Sequence, residues 1–278
     1  MKYAFSTLGL PGAPLDRSAA LAASQGFDGL ELRAHPEEPL HPHSTAGERA
    51  AGLRTLTAAG VTALAVAGYA RVAAPGTDEP VLAELRALIH LAADLEAPYI
   101  RVFPGGADLP EEAADAHAVR RLRAAAPFAE RHGVRILLET HDSHRTAAAA
   151  ARVLDRVAHP AVGAVWDVLH TWLAGEHPAR SRQALAAHLG YVQVKDVRSA
   201  QELTPTGLGT GVLPLPEAVA AAPTDGWLCW EYEKRWYPDA ADLPEQLTRG
   251  REHLQRLVAG QVPADSRTAG SGGLHPRR

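Results

Sequence analysis

Four apolar runs in the second half of the chain each meet a carboxylate or an amide near their end. The runs read Ile-Leu-Leu-Glu, Val-Trp-Asp, Val-Gln-Val and Cys-Trp-Glu, and the polar residues in them are Glu139, Asp167, Gln193 and Glu231. Burying even one lone carboxylate is costly, so a cluster of carboxylates requires a compensating positive charge. A divalent cation is the simplest compensation, and a set of oxygen ligands suits Mn²⁺ or Mg²⁺ better than Zn²⁺. These residues therefore predict a metal site.

Three further side chains follow these residues at short spacings. Lys195 comes two residues after the glutamine, His141 comes two after Glu139, and His170 comes three after Asp167. Residues two apart in a strand point to the same side, and a histidine titrates near neutral pH. We predict that all three contact the substrate or assist in acid–base chemistry. For the two histidines, orienting the metal-binding carboxylates is the alternative role.

Two residues at earlier runs, Tyr69 after the third and Arg101 within the fourth, are further candidates. Arg101 interrupts the apolar run Tyr99–Phe103, and an arginine inside a barrel strand needs an anionic partner. That partner is either Glu139 on the next run or the substrate. Tyr69, near the end of the third run, is a candidate for stacking on or hydrogen bonding to the substrate, with ordinary packing as the alternative.

Eight runs of apolar, β-branched and aromatic residues recur along the chain and would position these side chains. They span Tyr3–Leu8, Gly29–Arg33, Thr62–Ala67, Tyr99–Phe103, Arg135–Glu139, Val162–Trp166, Tyr191–Lys195 and Trp227–Glu231. Helix-spaced stretches separate them, including Ser18–Gln25, Pro80–Glu96 and Glu111–His132, each followed by glycine or proline. Short strands that alternate with helices indicate parallel βαβ units. Eight such units predict an α/β fold, the (β/α)₈ TIM barrel, whose strands present their carboxyl ends to one site.

A doubly wound open sheet is the alternative fold, and it would carry a glycine fingerprint after its first strand. The segment at 6–12 reads Ser-Thr-Leu-Gly-Leu-Pro-Gly, which lacks that fingerprint. The glycine-rich segment Thr206–Gly211 follows the seventh run, and its spacing fits neither a dinucleotide-binding loop nor a P-loop. We interpret this segment as a flexible loop, with a lid or a phosphate contact as the alternatives.

Length and composition exclude several classes of protein. The 278 residues carry a formal net charge of −4, which is unlike a general nucleic-acid binder. The chain has no apolar run long enough for a membrane span and no signal peptide, so we expect a cytoplasmic protein. The single cysteine, Cys229, excludes an internal disulfide and is expected to be a small buried hydrophobe. We place one barrel domain at 1–262 and interpret 263–278 as a disordered tail.

These segments together resemble the xylose isomerase-like TIM-barrel superfamily of sugar phosphate isomerases and epimerases. The motifs that carry the resemblance are Leu138–His141, Trp166–His170, Gln193–Asp196 and Glu231, with Arg101–Gly106 and Gly207–Gly209 in support. It covers residues 1 to about 260 and implies that Glu139, Asp167, Gln193 and Glu231 bind one divalent ion. Many relatives have histidine at the position of Gln193, and this departure weakens the expectation of zinc.

The resemblance implies a metal-dependent isomerase or epimerase. Its substrate would be a ketose, inosose or related hydroxyketone, and the proton transfer would pass through an enediolate. Glu139 and Glu231 are then the acid–base pair, while His170 and Lys195 stabilise oxygens that gain charge. A lyase similar to 3-dehydroshikimate dehydratase is the first alternative, in which His141 or His170 protonates the leaving group. Tyr69 and Arg101 would bind the substrate.

Other functions remain as further alternatives. One is cleavage of a carbon–glycosidic bond, or another specialised pathway step, on the same metal core. Another is a non-catalytic barrel that binds a ligand. The three-metal endonucleases with this fold need histidine ligands that the third and fourth runs lack. The expected partner is a small polyhydroxylated molecule, with no nucleic acid and no membrane. The sequence leaves open whether the substrate is phosphorylated and whether the chain forms a homo-oligomer.

Overall fold

Eight parallel strands close into a barrel in which each strand pairs with its neighbours in sequence and the last pairs with the first. The computed structural model describes residues 1–106 and 108–260. The strands are β1 (Lys2–Ser6), β2 (Gly29–Arg33), β3 (Thr62–Arg71), β4 (Tyr99–Phe103), β5 (Arg135–Glu139), β6 (Val162–Asp167), β7 (Leu189–Val194) and β8 (Trp227–Trp230). The helices are α1 (Leu15–Ser24), α2 (Ala46–Ala59), α3 (Asp78–Asp94), α4 (Glu111–Arg131), α5 (Ala147–Val157), α6 (Val168–Leu173), α7 (Pro178–Ala184), α8 (Leu215–Ala221) and α9 (Leu243–Gly260). The predicted (β/α)₈ barrel is confirmed, whereas the predicted tail at 263–278 lies outside the described residues.

The element boundaries lie close to those predicted, with β3 as the main exception. The pattern predicts an end at Ala67, but β3 continues to Arg71, which pairs with Phe103 after a break in the register. Glycines follow α1 and α4, as predicted. Gly26 and Gly133 have φ values of 71° and 67°, in the left-handed region that a glycine without a Cβ adopts at little cost.

The barrel interior beneath the strand ends is filled by a small cluster of side chains. Its members are Ala4, Leu64, Ala65, Leu137, Val165, Tyr191 and Cys229. A much larger apolar cluster packs the strands against the surrounding helices. Cys229 is completely buried, as predicted. Because the interior is packed, a small molecule can reach the polar strand ends only from the carboxyl-terminal side of the barrel.

The register of the strands brings the polar residues to a similar depth. Asp167 on β6 is the Cα partner of Gln193 on β7. Glu139 on β5 is the partner of Val165, which lies two residues before Asp167. Since side chains alternate along a strand, these positions all face the barrel interior.

A buried arginine on α4 fixes the loop between β3 and α3. Arg121 is fully buried. Its two terminal nitrogens donate to backbone carbonyls at 2.7–3.2 Å, those of Val72, Ala74, Gly76 and Thr77. Its Nε pairs with Asp78, the first residue of α3, at 2.8 Å. This single side chain therefore ties α4 to the loop that follows the strand carrying Tyr69.

We expect the Asp78→Asn variant to differ from wild type in how its free energy of unfolding depends on pH, because it loses the ion pairs with Arg120 and Arg121. Hydrogen bonds from Arg120, at 2.6 and 2.7 Å, hold the pKa of Asp78 well below its usual value, although burial opposes them. A carboxyl group with a depressed folded-state pKa stabilises the protein above its unfolded pKa of about 3.9, and this contribution is lost as the pH falls. The variant should be about 1 kcal/mol less stable than wild type at neutral pH, and the gap should narrow below about pH 4.

Urea unfolding of both proteins at pH 7 and pH 2.5, well below the unfolded pKa, measures this gap. Asp239→Asn, a change at an exposed position, is the matched control for the loss of one charge. A gap of the same size at both pH values would contradict the assignment.

The glycine-rich segment after β7 is anchored to one buried carboxylate. Asp196 accepts hydrogen bonds from the backbone N–H groups of Val197 (3.1 Å), Gly209 (3.0 Å), Gly211 (2.9 Å) and Leu213 (3.1 Å). A Cβ on Gly211 would lie 2.2 Å from Asp196 Oδ1, so the approach requires glycine there. The N–H groups that a phosphate would need are therefore already bound to Asp196.

The Asp196→Asn variant should be destabilised, because an amide oxygen is a weaker acceptor and its NH₂ group would face N–H donors. We expect a loss of about 2 kcal/mol, which lowers the thermal midpoint by about 4–8 °C for a chain of this size. Differential scanning calorimetry measures the shift. Asp225→Asn, also at an exposed position, is the control, and a midpoint equal to that of the control would refute the anchoring role.

Candidate functional site

Three buried carboxylates meet at the carboxyl-terminal end of the barrel. Glu139 ends β5, Asp167 ends β6, and Glu231 directly follows β8. One oxygen atom of each lies within 4.8 Å of the chosen oxygens of the other two, and all three residues are buried. Three carboxylate charges that lie this close together and are shielded from water repel one another strongly unless positive charge lies among them.

Asp167 has a second role that fixes its orientation. Helix α6 begins at the next residue, and Asp167 caps it by accepting hydrogen bonds from Leu169 N–H at 2.7 Å and His170 N–H at 3.4 Å. Both bonds go to Oδ1. The other oxygen, Oδ2, is thereby directed toward the cluster, where it lies 2.7 Å from Lys195 Nζ.

Gln193 lies beside the three carboxylates, as the sequence predicts. Its Nε2 donates to Glu31 Oε2 at 2.9 Å and to Glu231 Oε1 at 3.2 Å. Its Oε1 is buried and has no hydrogen-bond partner among residues 1–106 and 108–260. Glu139 Oε2 and Asp167 Oδ2 are also buried without a hydrogen bond there, although each lies in an ion pair. Carboxylate and amide oxygens left in this state fit a hard divalent cation.

Two cationic side chains supply part of the missing positive charge. Arg101 Nε lies 2.9 Å from Glu139 Oε2, and its Nη2 lies 3.7 Å from Glu231 Oε1. Glu139 is thus one of the two partners that the sequence allowed for Arg101. Lys195 Nζ contacts Asp167, Glu231 and also Glu233, the last at 2.8 Å. Burial would lower the pKa of Lys195, but Asp167 and Glu231 raise it well above its usual value, so the amine is charged.

The surroundings of Glu139 raise its pKa despite the nearby cations. Burial is the main cause that raises this pKa, and repulsion from Glu231 and Asp167 adds to it, whereas Arg101 and His141 act to lower it. The net pKa is about 8. A divalent cation at this position would favour the ionised form of the carboxyl group.

The two predicted histidines lie together next to Glu139. Their ring centroids are 4.0 Å apart, and Glu139, His141 and His170 form a second group with ligand atoms within 4.8 Å of one another. Burial lowers the pKa of His170 well below its usual value. Burial also lowers the pKa of His141, but Asp142 and Glu139 outweigh it and raise the net value. His141 therefore holds a proton more tightly than His170 does.

Tyr69 lies at the rim rather than in the carboxylate cluster. Its hydroxyl accepts a hydrogen bond from Arg33 Nε at 2.7 Å, and its ring packs near Phe103 and His35. The Arg101 guanidinium lies 6.0 Å from the centre of the ring. The structure thus brings the other predicted site residues together and places Tyr69 above them, beside Arg101.

Sequence reasoning missed Glu31 on β2. This residue is fully buried, and Tyr191 O–H donates to its Oε2 at 2.5 Å. Burial, followed by repulsion from Glu231, raises the pKa of Glu31. The signal was present in the run Gly-Leu-Glu-Leu-Arg, where a lone carboxylate interrupts an apolar strand just as Arg101 does on β4.

This fold and this arrangement of strand-end residues define a known class of barrel. The model of the xylose isomerase-like TIM barrel family matches residues 19–257, and the chain belongs to that family. The resemblance predicted from the motifs is therefore confirmed. No match was found among curated proteins. In the described part of the chain, no helix combines the length and the hydropathy that crossing a membrane requires.

Several solved structures share the fold. The probable 3-DHS dehydratase AsbF of Bacillus anthracis is 20% identical, with a TM-score of 0.77 over 92% of this chain and 99% of that one. The IOLI protein, solved with a bound zinc atom, is 18% identical, with a TM-score of 0.78 over 95% and 100%. D-Psicose 3-epimerase of Clostridium cellulolyticum H10 is 17% identical, with a TM-score of 0.78 over 93% and 99%. At these identities the likeness shows the common fold.

A metal titration tests whether the cluster binds a cation. We expect Mn²⁺ to raise the thermal midpoint of the wild type, because a ligand at 100 times its dissociation constant adds about 2.7 kcal/mol to the free energy of unfolding. Asp167→Asn should lose most of this gain while its asparagine still caps α6. Asp155→Asn, which alters an exposed carboxylate paired with His188, is the control. Equal stabilisation of Asp167→Asn and the control would show that Asp167 is not a ligand.

Proposed function

We propose that this chain is a divalent-metal-dependent isomerase or epimerase of a small polyhydroxylated ketone. The observation that carries the proposal is the convergence of three buried carboxylates and the Gln193 amide at the open end of the barrel. The residues that would hold the ion are Glu139, Asp167, Gln193 and Glu231. Because all four offer oxygen, Mn²⁺ or Mg²⁺ is the proposed ion. When bound, such an ion polarises the substrate carbonyl and increases the acidity of the adjacent C–H bond.

Glu139 and Glu231 are the proposed acid–base pair. They follow strands β5 and β8, which are separated by β6 and β7, so they approach the same space from different sides of the barrel end. One carboxylate takes the proton from the carbon next to the carbonyl, and a carboxyl group returns it. Return to the opposite face of that carbon inverts its configuration, whereas return to the neighbouring carbon moves the carbonyl.

Arg101 and Lys195 support this chemistry through their charge. Each contacts Glu231, and each also contacts a second member of the cluster. As the proton leaves carbon, negative charge develops on the substrate oxygens, and fixed cations nearby stabilise it without reorganisation. His170, whose pKa is lowered by burial, can donate a ring N–H to one of these oxygens.

The rim offers surfaces for the rest of the substrate. Tyr69 and the partly exposed His141 and His170 border the opening. Trp236 is 52% exposed and lies over the Arg33 guanidinium, 5.7 Å from it. We propose that these aromatic groups bind the carbon skeleton, while the cations and the metal ligands bind the oxygen-rich end.

The histidine pair favours a second candidate, a dehydratase. In that reaction the first proton transfer is the same, but the electron pair then expels a β-hydroxyl group. The leaving oxygen needs a proton, and His141, whose pKa is raised, is a suitable donor beside Glu139. The likeness in fold to the probable 3-DHS dehydratase is consistent with this candidate.

Proton exchange distinguishes the candidates. The Mg²⁺-loaded protein is incubated in D₂O with ketoses, inososes and 3-dehydroshikimate, and the products are followed by NMR. Deuterium on the carbon next to a carbonyl, together with a new stereoisomer or a moved carbonyl, supports the isomerase or epimerase. Loss of water to an unsaturated or aromatic product supports the dehydratase. Metal binding without exchange on any compound would favour the alternatives of a specialised pathway enzyme or a ligand-binding barrel.

The Glu139→Gln and Glu231→Gln variants should each reduce exchange by about 10²–10⁴-fold, because each removes a proton-transfer group. Glu202→Gln, at an exposed carboxylate paired with Arg198, is the control. Wild-type exchange rates and wild-type metal content in both cluster variants would refute the assignment of these glutamates.

A further inference from the structure

Glu31 has an environment that neither packing nor a surface ion pair explains. It is fully buried near the centre of β2, and it lies across the barrel from β7, whose Tyr191 and Gln193 reach over to it. Both side chains donate to the same oxygen, Oε2, while Oε1 is buried without a hydrogen bond in the described chain. A buried carboxyl group is costly at a position where an apolar residue would pack without penalty.

The hydrogen bond from Gln193 to Glu31 determines the orientation of the Gln193 amide group. The two ends of a glutamine amide have nearly the same shape, so only hydrogen bonding distinguishes them. Here Nε2 lies between Glu31 Oε2 and Glu231 Oε1, both of which accept. Turning the amide around would place its oxygen against these two carboxyl oxygens. The preferred orientation therefore leaves Oε1 as the atom without a partner.

We propose that Glu31 is a positioning residue that holds the Gln193 amide so that its oxygen, and not its NH₂ group, is available to a cation. This inference rests on the proposed metal site. Glu31 itself is not a proposed ligand, since it does not belong to the group of carboxylates whose oxygens lie within 4.8 Å of one another. It acts through the amide that it orients.

Tyr191 provides the comparison that separates this role from a purely structural one. Its hydroxyl donates to the same Glu31 oxygen and, in the described part of the chain, forms no hydrogen bond with Glu139, Asp167 or Glu231. Tyr191 and Gln193 are two residues apart on β7 and face the same side. Tyr191→Phe removes a buried hydrogen bond to Glu31 and leaves the Glu31–Gln193 contact in place. It should therefore affect stability while sparing the orientation of the amide.

Metal affinity and a spectroscopic signature test the proposal on the full chain. The probes are Mn²⁺, titrated by electron paramagnetic resonance, and Co²⁺, followed by its visible absorption. Glu31→Gln can donate as well as accept, so it permits the turned amide of Gln193. We expect it to weaken Mn²⁺ binding by about 10–100-fold and to change the Co²⁺ spectrum. Tyr191→Phe should bind Mn²⁺ within about 3-fold of wild type and keep its Co²⁺ spectrum.

A double-mutant cycle shows whether Glu31 acts through Gln193. In the Gln193→Ala background, Glu31→Gln should cause no further loss of Mn²⁺ affinity, because the amide that it positions is gone. If the two losses add, or if folded Glu31→Gln keeps wild-type Mn²⁺ affinity and the wild-type Co²⁺ spectrum, the positioning role is wrong. If Glu31→Gln does not fold, Glu31→Asp takes its place, and an affinity loss absent from the Gln193→Ala background is again expected.

The outcome also separates this inference from the proposed function. A wild-type chain that binds no Mn²⁺ overturns both the metal site and the role of Glu31. A chain that binds Mn²⁺ and shows the predicted cycle, but exchanges no substrate proton, supports the role of Glu31 and counts against the proposed reaction alone.

Discussion

The constraint on which the rest of the structure depends is the crowding of negative charge at one buried place. Glu31, Glu139, Asp167 and Glu231 gather at the end of the barrel, and the buried side chains of Arg101 and Lys195 oppose their charge. Each cation is shared between two or more carboxylates, so moving any one of these side chains alters the electrostatic balance of the others. The protein tolerates this arrangement because the strands hold the groups in place and the packed interior excludes other conformations.

Short barrel strands place these charged side chains at one end of the barrel. Alternation along each strand sends every second residue inward, and the register sets the depth of each side chain. One additional device is the direct passage from β6 into α6. Because Asp167 serves both as the end of the strand and as the cap of the helix, its free oxygen has little freedom to turn away from the cluster.

Much of the fold could be predicted from the sequence, because the alternation of apolar runs with helical segments is a local pattern. The glycines after α1 and α4 made the helix ends predictable for the same reason. The extension of β3 to Arg71 was not, since it depends on pairing with Phe103 on another strand. The four predicted oxygen ligands lie together because each ends or follows a barrel strand. Glu31 was not predicted because it lies within its run, whereas the candidate ligands were sought at the ends of the runs.

Contacts between distant segments set the limit of prediction in the site as well. That Tyr191 and Gln193 reach across to Glu31 follows from barrel closure and not from any spacing along the chain. Likewise, the sequence does not predict that Lys195 pairs with three carboxylates, one on β6 and two in the segment after β8. The glycine-rich segment looked like an open loop until Asp196 was seen to bind its backbone.

Lys195 and Asp196 are adjacent in sequence and turn in different directions, one into the carboxylate cluster and the other into the glycine-rich segment. A single peptide unit therefore links the glycine-rich segment to the carboxylate cluster. For protein engineering, a substitution in residues 206–213 that displaces Asp196 would also shift its neighbour Lys195, although the substituted residue lies away from the carboxylate cluster. Libraries that diversify this segment should keep Asp196, Gly209 and Gly211, whose contacts hold it in place.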